Sequence, residues 1–81
     1  MAELLTWIAR QLVDDPSAVH VETVERDDAI VFRLHVAPDD IGKVIGRQGA
    51  TIHAIRSLLQ VGAASSGKRW SVEIVEEKPE S

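Results

Sequence analysis

Val44-Ile45-Gly46-Arg47-Gln48-Gly49-Ala50-Thr51-Ile52 is the stretch whose reading decides the fold. Two glycines enclose a basic residue and an amide, with apolar residues on both sides. Upstream, Ile41, Val44 and Ile45 give a short helix an apolar face. Downstream, Ile52, Ile55, Leu59 and Ala63 form a longer helical stripe, with Leu58 beside it. Gly46–Gly49 is therefore a helix–helix turn. The second helix begins there, so free backbone N–H groups and the positive end of a dipole point at the turn. Glycine lets another backbone approach without a Cβ in the way. Arg47 places a positive charge at the tip, with Lys43 one turn earlier, and Ile41, Val44, Ile45 and Ile52 supply an apolar floor for unstacked bases. The spacing of the two glycines alone fits ordinary helix caps equally well; the charge and the flanking residues favour a phosphate contact.

Working outward, Leu4, Leu5, Ile8 and Leu12 predict a first helix from about Glu3 to Val13, with Trp7 and Ala9 near its stripe. Asp14-Asp15-Pro16 ends it, because the residue before proline avoids the α region. Val19–Val24 alternates as a strand, and Glu25–Asp28 is the hairpin turn. From Ala29 to Ala37, Ile30, Phe32, Leu34 and Val36 face the core, while Val31, Arg33, His35 and Ala37 face the other way. Pro38-Asp39-Asp40 starts the short helix, its acids complementing the dipole. The long helix runs from about Ala50 to Ser65, with Gly62 inside it at a cost of about 1 kcal/mol relative to alanine. Ser65-Ser66-Gly67 stops it. Trp70, Val72 and Ile74 alternate in a last strand, Trp70–Val75. Glu76 to Ser81 has no apolar residue and includes Pro79, which predicts a frayed tail. The domain is drawn at residues 1–76, with 77–81 as the flexible tail. The order is α-β-β-α-α-β. The hairpin is antiparallel, and the helix pair between the second and third strands is long enough for a parallel crossover. An α+β fold follows, a three-stranded mixed sheet with three helices on one face.

Composition bounds the rest. The 81 residues suffice for one small domain. With 44% hydrophobic and 27% charged residues the composition is that of a globular chain. No run approaches a membrane span, and the N-terminus lacks the layout of a signal peptide, which favours the cytoplasm. Having no cysteine, the chain has no disulfides, zinc knuckles or thiol chemistry. The net charge is −4, but it is unevenly spread: −6 over residues 1–40, +5 over 41–70 and −3 over 71–81. The middle segment carries Lys43, Arg47, Arg56, Lys68 and Arg69 with no acid, and is a candidate anion-binding surface.

The nonapeptide resembles the pattern of KH-domain RNA-binding proteins: an isoleucine before the loop, two glycines around a basic residue, an isoleucine three positions after. The element order resembles the bacterial, type II KH arrangement. Length, the Ala37-Pro38-Asp39-Asp40 lead-in and the Gly67-Lys68-Arg69 exit are similar to the small single-domain KhpA family, over residues 2–76. The resemblance implies a clamp on about four nucleotides of single-stranded RNA or DNA. It implies a cytoplasmic RNA chaperone that self-associates or pairs with a larger KH-containing Jag-type protein, in some bacteria affecting cell elongation and envelope growth. Carried across by position, Gly46 and Gly49 shape the clamp, and Arg47 and Gln48 face phosphates. Ile45 and Ile52 pack beneath the loop, and Lys43 supports the charge. Lys68 and Arg69 border the groove or lie in a solvated turn. Arg56 is a helix-surface charge or a backbone contact.

The remaining features have plainer readings. His20, His35 and His53 lack metal-ligand spacing, and no metal or cofactor is expected. Trp7 and Trp70 read as core or core-edge residues rather than stacking platforms. Asp14-Asp15 and Asp39-Asp40 sit at helix ends, where acids serve turns and dipoles. Nothing points to an enzyme. A protein-interaction adaptor whose KH surface serves mainly for dimerisation is the alternative to an RNA binder, and the exposed edges of the Val19–Val24 and Trp70–Val75 strands invite self-association.

Overall fold

The structure, a computed structural model, describes residues 1–76. The tail expected at 77–81 lies outside them. Three helices and three strands follow in the expected order: α1 (Ala2–Leu12), β1 (His20–Arg26), β2 (Ala29–Val36), α2 (Ile41–Ile45), α3 (Ala50–Ser66) and β3 (Arg69–Glu76). Single 3-10 turns at Pro16–Ala18, Pro38–Asp40 and Arg47–Gly49 join them. β2 is central, antiparallel to β1 and parallel to β3.

Element ends shift by one or two residues, and two of the shifts have a clear physical reason. The hairpin turn shrinks to Asp27-Asp28, because Glu25 and Arg26 stay in the ladder opposite Ile30 and Ala29. Glu76, expected just beyond the last strand, is the last residue of β3 and pairs with Val36. The parallel ladder extends as far as β2 offers partners.

Strand alternation puts Phe32, Leu34 and Val36 on the buried face, as expected. They meet Leu5 and Ala9 of α1, Val44 of α2, and Ile52, Ile55 and Leu59 of α3. Burying a side chain such as Leu34 or Leu59 contributes about 1.5–3 kcal/mol. Trp7 departs from the expectation. It is 62% exposed, two positions from both Leu5 and Ala9 and so on the far side of the helix. Trp70 does pack on the core, edge-on to Phe32 with ring centroids 5.4 Å apart. Gly62 has its explanation here: a Cβ at that position would run into the Trp70 ring. The glycine lets the indole lie against α3 and seats β3 on the helix.

A candidate nucleic-acid interface at the start of α3

α2 is only five residues long, too short to persist by itself. It is held from two sides. Val44 is fully buried in the core. Asp40, at the N-cap position and only 2% exposed, makes no side-chain capping bond to α2. One oxygen accepts the backbone N–H of Asp14 and the other that of Asp15, both at 3.1 Å. Lys43 Nζ lies 3.4 Å from the same carboxylate and also donates to Asp14. The N–H of Asp14 is the main reason the Asp40 carboxyl sits below its ordinary range, with the N–H of Asp15 and then Lys43 adding to it against the effect of burial. Asp14 in turn raises Lys43 above the ordinary lysine range, chiefly through its hydrogen bond.

The chain then leaves α2 through three positive φ angles: Gly46 at 79°, Gln48 at 56° and Gly49 at 78°. Gly46 is doubly required, since a Cβ there would also stand 2.9 Å from Thr51 N. Gly49 is needed for its conformation alone, its would-be Cβ being in ordinary contact with His53. Gln48 is the one non-glycine residue with positive φ among the described residues. Such backbone costs about 1–2 kcal/mol and gathers where function imposes it. Arg47 keeps helical angles while Gln48 is left-handed, an alternation that in general turns successive N–H groups towards one point. Gly49 N–H bonds to Gly46 O at 3.1 Å, but the N–H groups of Arg47 and Gln48 meet no acceptor among the described residues. No side chain caps α3.

The structure redistributes the expected site residues. Gly46, Arg47, Gln48 and Gly49 form one loop, with the Arg47 and Gln48 side chains exposed. Ile52 packs beneath it, 8% exposed. Ile45 does not: it is 37% exposed. Val44 takes the inward position on α2, and Ile45, about 100° further round, is left on the surface where the helix ends. Arg56 lies between one and two turns along α3 and lines a cavity of about 310 Å³ between α3 and β3, with Leu59, Gln60, Trp70 and Val72. Lys68 and Arg69 stand at the opposite end of α3, about 25 Å away for a helix of 17 residues.

Nor does the acid-free segment make an acid-free surface. Lys43 is held by Asp14 and Asp40, Lys68 lies 3.7 Å from Glu25, and Arg69 lies 3.4 Å from Asp28. Arg47 and Arg56 have no ion-pair partner among the described residues. Asp14 and Asp40, which sequence reading placed among helix-end acids, are thus part of the site's electrostatics. The Asp40-x-x-Lys43 spacing was the available signal for one of them; Asp14 is 29 residues from Lys43 and left none. Among the described residues, no cluster of three or more His, Cys, Asp or Glu side chains is placed to hold a metal ion. No helix there is long and apolar enough to cross a membrane.

The family described as KhpA/KhpB, KH domain, matches residues 2–74. A Chlamydia trachomatis protein named RNA-binding protein KhpA is 45% identical over 96% of this chain and 100% of its own length. Its namesake in Caldanaerobacter subterraneus is 47% identical over 93% of this chain and the whole of that protein. One from Treponema pallidum is 40% identical over 91% of this chain and 92% of that protein. Family match, full-length relatives and a left-handed G-x-x-G turn between two helices agree: the chain belongs to the KhpA/KhpB KH-domain family.

Proposed function

We propose that the protein binds single-stranded RNA, gripping about four nucleotides at Gly46–Gly49. The observation that carries this reading is the pair of N–H groups at Arg47 and Gln48 without an acceptor, beside a guanidinium without an ion-pair partner, both among the described residues. Phosphate oxygens sit against these groups. Exposed Ile45 then offers apolar surface to unstacked bases, with Ile52 underneath. Arg56 contacts the backbone as the strand continues along the cavity between α3 and β3. A footprint of this size gives little binding energy, so a second copy or a Jag-type partner raises the effective concentration. The relatives' name, RNA-binding protein KhpA, supports the same reading. We extend it to a cytoplasmic RNA chaperone or post-transcriptional regulator, acting with such a partner in cell elongation and envelope growth.

A second reading, the interaction adaptor, is favoured by Leu58 and Val61. They stand one turn apart on α3 and are 42% and 71% exposed. A salt titration with an unstructured oligoribonucleotide separates the two. Two phosphate contacts, from Arg47 and Arg56, give a slope of log affinity against log salt of about −1.4. Absence of RNA binding at low salt leaves the adaptor.

A further inference from the structure

Lys43 stands between two carboxylates of unlike character. Asp40 is buried, and both its oxygens are engaged by backbone N–H groups. It cannot leave without undoing the brace that holds α2. The Asp14 side chain is 83% exposed and reaches Lys43 from the solvent side. Its carboxylate can swing away at no cost in packing, since the tie from this residue to Asp40 runs through its backbone N–H. Lys43 itself is 43% exposed. Its ammonium is drawn back towards the start of α2, the direction in which helical side chains lean. Arg47, at the tip of the loop, lies four residues on in the chain, past the break at Gly46. The place Asp14 occupies beside Lys43 is therefore a solvent-facing anion position on the short helix that leads into the clamp. A phosphate oxygen offers the same charge and the same acceptor geometry as the carboxylate now there.

We infer that Asp14 is an intramolecular competitor of RNA phosphate for Lys43, withholding that lysine and lowering the affinity of the clamp. The inference rests on the RNA-binding reading above. It explains how a lysine at the expected place in the motif is spoken for in the free protein.

Affinity for an unstructured oligoribonucleotide, measured across a salt series, tests it. Asp14→Asn removes the competing charge from an exposed position and leaves the backbone N–H bond to Asp40. Binding should tighten about threefold, the scale of an exposed ion pair. The salt slope should steepen by about 0.7, one added phosphate contact. Measured against Lys43→Met alone, Asp14→Asn combined with Lys43→Met should show neither gain. Asp15→Asn, which removes a neighbouring charge not paired with Lys43, controls for net charge and should give neither gain. Circular dichroism confirms the folding of each variant. An unchanged slope in Asp14→Asn, an equal gain in Asp15→Asn, or a gain that survives Lys43→Met overturns the inference while RNA binding stands. Failure of the unmodified protein to bind RNA overturns both.

Discussion

The two ends of α3 look alike in sequence and differ in space. Each is marked by a glycine with positive φ, Gly49 at 78° and Gly67 at 77°, and each carries basic residues beside it. At the first end Arg47 has no ion-pair partner among the described residues. At the second, Arg69 N–H bonds to Asp28 O at 3.0 Å as β3 enters the sheet, and this brings the Arg69 guanidinium to the Asp28 carboxylate and Lys68 to Glu25. The acids come from the β1–β2 hairpin, some forty residues earlier in the chain. A run of sequence free of acid is thus no guide to a surface free of acid. Sheet register decides which cations stay available.

The largest effect should come from reversing charge at the first end. Arg47→Asp with Gln48→Asp should abolish RNA binding, while stability changes by only about 0.5 kcal/mol because both side chains are exposed. Lys68→Asp with Arg69→Asp should leave binding within about fivefold, since those charges are already paired and distant. Circular dichroism and oligoribonucleotide binding at low salt check both pairs. Equal losses would erase the contrast between the ends.

Backbone strain should sharpen it. Gly46→Ala meets both a positive φ and the Thr51 backbone, and should cost about 2–3 kcal/mol in chemical denaturation. Gly67→Ala has the same kind of φ but open space around it, and should cost about 1 kcal/mol. Matching costs would mean that Thr51 yields freely.

A smaller effect on stability, with a clear effect on binding, is expected at Ile45. Exposed as it is, Ile45→Asp should destabilise by less than about 1 kcal/mol and weaken RNA binding several-fold through a negative charge beside the clamp. A loss of several kcal/mol in thermal melting would show Ile45 to be covered in solution.

The smallest effect near neutrality concerns the brace beneath the first end. The folded state favours the Asp40 carboxylate, so its contribution is present above the ordinary aspartate value of 3.8 and is lost as pH falls through the lower folded value. Melting temperature should therefore be level through neutral pH on this account. The gap between the protein and Asp40→Asn should close below about pH 4. A gap that persists unchanged in acid would refute the charged brace.

Most of the fold was legible because its signals are local. Alternation from Ile30 to Val36 and the stripe of Ile52, Ile55 and Leu59 each need only neighbouring residues, and each held. The turn between α2 and α3 was legible from its glycines. What was not legible depends on contacts across the fold. Ile45 and Val44 are both apolar and adjacent, and only the docking angle of α2 decides which is buried. Trp7 shares a helix with Leu5 and lies on its far side. Gly62 was opaque until Trp70 stood against it. The pairing of Lys43 with Asp14 joins residues that no periodicity connects.

The mixed sheet has a consequence for how the clamp comes into being. β2 reaches β1 through a two-residue turn but reaches β3 only after residues 37–68, the span that holds α2, the G-x-x-G loop and α3. Loop-closure entropy makes the hairpin the cheaper pairing and charges the parallel one for the whole excursion. α2 is too short to hold itself, and the Trp70–Gly62 contact that seats α3 exists only once β3 is in place. The four-residue loop, though contiguous in sequence, therefore acquires its shape as the last strand closes. Chains truncated before Trp70 would retain every residue of the motif and still present no site for RNA.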